Sequence, residues 1–173
     1  MNKIMNKLIL VSILSILSLG IQAQSVKLGH INTQELMSQL PQRLTAEEEL
    51  KTHAAQLEKF QKTIQDELSK KYEEYLTERE TYTDLVKATK EKDLQDLQQR
   101  LETYNKTAQQ DLMQKENELF QPIIDAIKVA IEEVGKENGF LYIFDTATGN
   151  LLFMSTESVD ITPLVRKKMG MDN

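Results

Sequence analysis

The sequence predicts an α+β protein, mainly α, in which one long helical hairpin is inserted into a small β-containing body. Three observations predict this class. The 80 residues from Gln42 to Gln121 contain neither glycine nor proline, whereas a sandwich, a barrel of short strands or a βαβ enzyme would need turn-forming residues there. Apolar residues in this stretch recur at helical spacing. Segments with strand character lie only near the two ends of the mature sequence.

The first 23 residues predict a secretory signal peptide, which is not part of the fold. Lys3 and Lys7 precede an apolar run from Leu8 to Ile21, and Ile21-Gln22-Ala23 offers a small-residue cleavage site before Gln24. The run is short for an uncleaved membrane anchor, which needs about 20 apolar residues. We therefore expect an exported chain whose signal peptide is cleaved.

Charge and cysteine content exclude several classes of function. The formal net charge is −6, and loss of Lys3 and Lys7 with the signal peptide makes it −8, so a general basic field for nucleic acid is lacking. The chain has no cysteine, which excludes disulfides, thiol metal ligands and a thiol nucleophile. Its two histidines, His30 and His53, do not have the spacing of a metal site. We expect no cofactor, no metal and no nucleic-acid partner.

The body is predicted to begin with a strand and a short helix. Residues 25–32 read SVKLGHIN, in which Val26 and Leu28 alternate with Lys27 and Gly29. Thr33 is predicted to cap a helix from Gln34 to Leu40, because Pro41 follows and disfavours continuation.

Two apolar series predict the helical hairpin. The first helix repeats apolar residues every seven positions, with polar interruptions at Gln61 and Lys71. The chain is predicted to reverse near residues 81–84, where Thr81 or Thr83 can cap the second helix. The apolar positions are Leu50, Leu57, Ile64, Leu68, Tyr75 and Tyr82 on the first helix, and Leu94, Leu97, Leu101, Tyr104, Ala108, Leu112 and Leu119 on the second.

The second helix is expected to return the chain to the body. Its apolar spacing continues past Pro122, which predicts a kink there, not a break. The helix is expected to run to about Asn138, and Gly139 closes it.

The last part of the chain is predicted to form a β-hairpin and a short helix. The strands are residues 140–145 (FLYIFD) and 151–154 (LLFM), joined by a turn at Thr148-Gly149-Asn150. The final helix begins at Asp160 or Thr162, with Pro163 near its first position.

A body of three short strands and part of one helix has too small a core for a lone domain. We assign residues 24–41 and 122–173 to this body and residues 42–121 to the arm. Because the arm is only thinly apolar, we expect several subunits to share one core. The residues expected to pack the body are Val26, Leu28, Ile31, Leu141, Ile143, Leu151 and Phe153.

These segments resemble the Skp/OmpH family of periplasmic chaperones across essentially the whole mature chain. The resemblance lies in VKLGHINTQELMSQLP at 26–41 and in ELFQPIIDAIKVAIEEVGKENGFLYIFD at 118–145, and LLFMSTESVDITPLVRKKM at 151–169 also fits. The most specific piece is Gln121-Pro122-Ile123, followed by KENGF and a strand. The resemblance implies a homotrimer with a β-barrel-like body, whose three arms surround a cavity that holds unfolded outer-membrane proteins without ATP.

Two residue features depart from that family. Its members are often strongly basic, whereas this chain is acidic, which puts an electrostatic attraction to acidic clients or lipopolysaccharide in doubt. The usual tyrosine of the first strand is His30 here.

The sequence and the resemblance together predict an ATP-independent periplasmic holdase that prevents aggregation of unfolded outer-membrane proteins. The alternative is a structural coiled-coil adaptor or spacer of the cell envelope with one fixed partner. The interruptions at Gln61 and Lys71 favour the holdase, since a rigid spacer would gain from a regular repeat. We expect no enzymatic activity, because no residues combine into a catalytic set and the run Glu47–Glu49 is typical of a solvated helix face.

Two groups of arm residues are candidates for contact with partners. Aromatic residues and one flexible methionine of the arm have two interpretations: they line the interface between the two helices, or they contact clients. The interface interpretation is favoured for Phe60, Tyr75 and Tyr104. The full client-contact set is Phe60, Tyr72, Tyr75, Tyr82, Tyr104 and Met113. Near the tip is a small cluster of lysines, Lys87, Lys90 and Lys92. They either form a solvated helix face or make a transient contact, with anionic membrane lipid or with acidic segments of clients.

Overall fold

The computed structural model describes residues 26–171, which are mostly helical. The predicted signal peptide lies outside the described residues. The elements are β1 Leu28–Ile31, α1 Thr33–Ser38, α2 Pro41–Glu78, α3 Asp84–Glu137, β2 Tyr142–Asp145, a 3-10 turn Thr146–Thr148, β3 Val159–Asp160 and α4 Thr162–Lys168.

The helices α2 and α3 form the arm, and the predicted hairpin is confirmed. They contain 38 and 54 residues and pack against each other along their lengths. The reversal occupies residues 79–83. Thr83 is the N-cap of α3, where its hydroxyl accepts a hydrogen bond from the Val86 N–H at 3.4 Å. The tip turn therefore forms without glycine or proline.

The second arm helix continues through Pro122 without interruption, so the helix is not broken there, as the continued apolar spacing predicts. The kink expected at Pro122 stays a prediction. The helix ends at Glu137 with Asn138 as its C-cap, and Gly139 follows with a left-handed φ of 67°. The Phe140 N–H donates to the Gly135 carbonyl at 3.0 Å, so the exposed end of the helix is closed in the usual glycine-dependent way.

The sheet has the order β2-β1-β3, and both pairings are parallel. Leu28 pairs with Tyr142, and Gly29 pairs with Val159. The arm is thus the connection between β1 and its parallel neighbour β2. A Cβ on Gly29 would lie 3.1 Å from the side chains of Ile161 and Phe140, so glycine permits the close approach at the centre of the sheet.

The predicted hairpin between residues 140–145 and 151–154 is wrong. Residues 151–154 form no strand, and the third strand is Val159–Asp160, which pairs with β1. The reason is local: the Asp145 carboxylate accepts from the Ala147 N–H at 2.9 Å and starts a 3-10 turn. This turn, followed by Gly149 with φ of 68°, leads the chain away from the edge of β2 before it can pair.

The predicted cap of the first short helix is also wrong by one residue. Asn32 is the N-cap, since its side-chain oxygen accepts from the Glu35 N–H at 3.0 Å. Thr33 is unavailable because its hydroxyl donates to Asp145 Oδ2 at 2.5 Å. A contact between residues distant in sequence therefore decides the position of the cap.

The core of the body lies between the sheet, α1, α4 and the last four turns of α3. Side chains of this core are at most 9% exposed, and Leu36, Ile161 and Val165 are fully buried. The partly buried Ile143 packs against it. Its buried members are Ile31, Leu36, Leu40, Ala46, Ile123, Ile127, Ala130, Val134, Ile161 and Val165.

Candidate functional site

The arm is packed unevenly along its length. Ala46 is buried against the body, and Ile64 of α2 is only 1% exposed, but α2 buries no residue between these two positions. On α3, Leu97 is buried and the next buried residue is Ile123. We call residues 47–63 and 98–122 the loose section of the arm. It spans about 27 Å along α2 at 1.5 Å per residue.

Polar contacts connect the two helices within and beside the loose section. His53 Nε2 lies 2.8 Å from Asp111 Oδ2, and Lys115 Nζ lies 3.8 Å from Glu49 Oε2. Exposed ion pairs of this kind contribute at most about 1 kcal/mol each. The two helices are therefore held together weakly here.

The ring of Tyr104 supports the interpretation that some aromatic residues line the helix interface. Its hydroxyl donates to the Leu57 carbonyl across the hairpin at 2.9 Å, and its ring lies 5.0 Å from that of Phe60. Phe60 itself is 47% exposed. The pair therefore fills the interface with one ring and presents the other to solvent.

Near the tip, two tyrosines are tied to carboxylates. Tyr75 donates across the hairpin to Glu91, and Tyr82 donates to Glu78 at 2.6 Å. Hydrogen bonding to Glu78 raises the pKa of Tyr82 to about 12, and the bond to Glu91 raises the pKa of Tyr75. Both phenols are thus engaged in holding the tip.

Other apolar side chains of the arm face solvent. Tyr72 and Met113 are about half exposed. Sequence reasoning missed three further exposed residues near the tip, Leu76, Leu85 and Val86. Leu85 and Val86 stand outside both apolar series, and this mismatch was the signal that could have found them.

The tip lysines lie among carboxylates. Lys87 is half-buried, and Lys90 and Lys92 are exposed. Between residues 84 and 93, three carboxylates, those of Asp84, Glu91 and Asp93, balance the three lysines. The tip of the arm therefore has alternating charge and no net charge over this segment.

The residues expected to pack the body divide into buried and exposed sets. Ile31 is 1% exposed, and Ile143 and Leu151 are half-buried. The others are exposed in the single chain, and Phe153 is 82% exposed. This exposed set is Val26, Leu28, Leu141 and Phe153.

Most of the exposed set lies in one apolar groove on the body, together with residues that the sequence analysis did not identify. Tyr142 adjoins it, with its ring 6.2 Å from that of Phe144. Both faces of β2 carry apolar residues in the sequence, which was the available signal. We call this surface the apolar groove; its lining residues are Val26, Leu28, His30, Phe144, Leu151, Phe153, Met154, Ser155, Glu157 and Ser158.

One side of the apolar groove is a chain segment with free backbone groups. Over residues 150–154, no backbone hydrogen bond to another backbone group is formed within the described part of the chain. The segment lies between Gly149 and a turn that begins at Ser155. Unpaired apolar backbone of this kind is the usual template for pairing with a further strand.

Asp145 joins the start of α1 to the end of β2. Its carboxylate accepts from the N–H and the hydroxyl of Thr33, at 3.2 and 2.5 Å, and from the Ala147 N–H. Partial burial acts to raise the pKa of Asp145, but these hydrogen bonds together hold that pKa below its ordinary value. The Asp145 side chain therefore has a structural role, because it links the start of α1 to the turn after β2.

The described residues offer no metal-binding cluster and no membrane span. Among residues 26–171, no three His, Asp or Glu side chains are grouped so that they could hold a metal ion. None of the helices in this part of the chain is both long enough and apolar enough to cross a bilayer.

His30 contacts the segment that leads into β3. Its Nδ1 lies 2.9 Å from Ser158 Oγ, and this contact links β1 to the segment before β3.

These features define a class of protein: a small parallel-sheet body that presents a long, weakly closed helical arm and an open apolar groove. The family model described as "Outer membrane protein (OmpH-like)" matches residues 27–169, and the chain belongs to this family. The resemblance seen in the sequence is thereby confirmed. The family is associated with chaperones of outer-membrane proteins, and its members are periplasmic. A search of curated proteins finds no significant match.

Proposed function

We propose that the protein is an ATP-independent periplasmic holdase, which binds unfolded outer-membrane proteins between the arms of a homotrimer. The observation that carries this proposal is the arm itself, which exposes Phe60, Tyr72 and Met113 along weakly joined helices. An arm of this kind can bend and offer many weak apolar contacts, as binding of diverse unfolded chains requires. A rigid spacer would need a fully buried apolar interface, whereas apolar side chains of the loose section such as Leu57 and Leu112 are only half-buried.

The apolar groove supports the proposed homotrimer. Phe153 and Leu152 are 82% and 98% exposed, and large exposed apolar side chains of this kind mark an interface. We propose a second copy of the chain as the occupant, because residues 150–154 have free backbone groups that can pair with a strand of a neighbour. Sharing strands in this way would enlarge the small core.

The proposed mechanism is encapsulation without energy input. Unfolded barrel proteins expose alternating apolar strands that pair edge to edge and aggregate. Binding of the unfolded chain lowers its free concentration by mass action, so aggregation slows. The acidic charge of this chain makes apolar contacts, more than a general positive field, the source of the affinity.

Light scattering after dilution of a urea-denatured outer-membrane barrel protein tests the holdase. We expect the mature chain in excess to suppress aggregation. Tyr72→Ser combined with Met113→Ser should weaken suppression, whereas Lys59→Ser combined with Lys106→Ser, which alters polar positions that are also exposed, should not. Absence of suppression by the unmodified chain would favour the adaptor with a fixed partner.

Transient lipid contact by Lys87, Lys90 and Lys92 stays a prediction. Their charge is balanced by neighbouring carboxylates, so we expect such contact to be weak. Co-sedimentation with anionic and with zwitterionic vesicles measures it, and equal binding to both would argue against a role for the lysines.

A further inference from the structure

The loose section contains a histidine that bridges the two helices of the arm. His53 of α2 lies 2.8 Å from Asp111 of α3, measured between Nε2 and Oδ2. The side chains are 27% and 52% exposed, so the imidazole is the more enclosed partner. No buried apolar residue of α2 lies between Ala46 and Ile64 to fix the helices together at this level. The apolar side chains near this level, such as Leu57 and Leu112, are only half-buried, so a polar bridge adds measurably to how tightly the helices associate here.

The charges that face His53 come from both helices packed at this level. On α3, Asp111 binds the imidazole and Lys115 lies one turn away. On α2, Glu49 lies one turn before His53 and pairs with Lys115 at 3.8 Å. Glu48 lines a shallow surface cavity of the arm together with Glu49, His53 and Lys115. With a neutral imidazole, this group of five side chains carries a net charge of −2, three carboxylates against one ammonium. An imidazolium reduces that excess to −1.

We propose that His53 is a proton-dependent tie between α2 and α3, which closes the loose section when the imidazole is protonated and relaxes it when the imidazole is neutral. A charge-assisted hydrogen bond to a carboxylate is roughly twice as strong as a neutral one. Histidine is the side chain whose ordinary titration falls between about pH 5 and pH 8. Carboxylates ordinarily stay ionised over that range, and the carboxylate of Asp111 is the group in contact with the imidazole.

The consequence for clients rests on the proposed holdase function, but the tie itself does not. A closed loose section stiffens the arm and limits how far it can splay. The protein would then accommodate large clients better near neutral pH than in mild acid.

Spin-label distance measurements test the tie without any client. The chain has no cysteine, so Ala55→Cys and Gln109→Cys, two exposed neutral positions near His53, introduce a single pair of labels. Labelled chain is mixed with excess unlabelled chain, so that only distances within one chain contribute. Between about pH 8 and about pH 5, we expect the ratio of separated to closed helices to fall by about two- to fivefold, the range of an exposed ion pair.

Three variants assign the effect. His53→Gln keeps a hydrogen-bonding side chain without a titratable charge, and Asp111→Asn removes the charge of the partner, so both should give the same distances at either pH. Glu102→Gln, which removes an exposed carboxylate of α3 away from His53, should retain the full response. A pH-independent parent protein, a response that survives in His53→Gln, or one lost in Glu102→Gln would each overturn the proposal. Failure of the aggregation assay would leave these distances unaffected, so the two proposals fail separately.

Discussion

The body and the arm use opposite ways of holding helices together. In the body, Leu36, Ile161 and Val165 are fully buried and surround a continuous apolar core. In the arm, α2 buries only Ala46, beside the body, and Ile64, and the intervals are bridged by polar pairs such as His53 with Asp111. Close packing permits one geometry, whereas weak exposed bridges permit local opening at small cost. The difference indicates a fixed platform that carries a compliant arm.

The largest expected effect comes from removing core volume in the body. Leu36→Ala should lower the free energy of unfolding by about 2–5 kcal/mol, since it removes a fully buried side chain. Leu57→Ala, at a half-buried position of the loose section, should cost about 1 kcal/mol or less, because its neighbourhood is open to water. Urea denaturation followed by circular dichroism at one protein concentration compares the two. Equal costs would contradict the contrast between platform and arm.

A second comparison places one charge on each region. Phe153→Asp puts a carboxylate into the apolar groove and should raise the dissociation constant of self-association at least tenfold, as loss of a central interface residue does. Met113→Asp, at a similarly exposed apolar position of the arm, should leave association unchanged. Sedimentation equilibrium measures both. Unchanged association of the Phe153 variant would place the subunit interface elsewhere.

A third comparison uses acid against the body. The pKa of Asp145 is held below its ordinary value in the folded chain, so its contribution to stability is present above the pKa of the unfolded chain and fades as pH falls through the folded pKa. Asp145→Asn should therefore cost about 1–3 kcal/mol at neutral pH, and less near pH 3. Urea titrations at the two pH values measure this difference. Asp96→Asn on the exposed arm surface is the control and should behave as the parent chain does.

The smallest expected effect concerns the tip of the arm in alkali. Hydrogen bonding to Glu78 raises the pKa of Tyr82 to about 12, so the stabilisation from this bond is complete below the ordinary tyrosine value of about 10 and is lost as pH rises through the folded pKa. Glu78→Gln should return the titration of Tyr82 towards that ordinary value, whereas Glu80→Gln should not. Carbon-13 shifts of the tyrosine rings resolve the titration, and an unchanged Tyr82 in the Glu78 variant would show that the bond is not its cause.

Local patterns were sufficient to predict the arm. The absence of glycine and proline, the heptad spacing and the threonines near residue 81 depend on neighbours in sequence, and helices obey such local rules. The error at residues 151–154 has a different origin. Their composition suits a strand, but pairing depends on which edge the chain reaches, and the Asp145 turn leads them away from β2. The same carboxylate accepts a hydrogen bond from the Thr33 hydroxyl, so Asn32 is the N-cap of α1 in place of Thr33.

The sequence identified the aromatic residues of the arm, but not which of them lie in the helix interface and which are exposed to solvent. Repeat spacing placed Tyr104 near the helix interface, yet its cross-helix bond and the exposure of Phe60 depend on the rotation of both helices. No residue close to His53 in sequence indicates its partner, because Asp111 lies 58 positions later. Such pairs follow from the register of the hairpin, which is set by the length of its turn.

The sequence by itself determined that this chain carries a long helical hairpin between two β-containing ends, and that it resembles the OmpH-like family to which it belongs. Periodicity and turn-residue content encode the hairpin, because they depend on residues within a few turns of one another. The resemblance rests on the residues at 26–41 and 118–145. Only the tertiary structure decided the parallel order β2-β1-β3, the open apolar groove and the bridge between His53 and Asp111. These features depend on contacts between segments far apart in sequence, and the local sequence pattern gives no signal for such contacts.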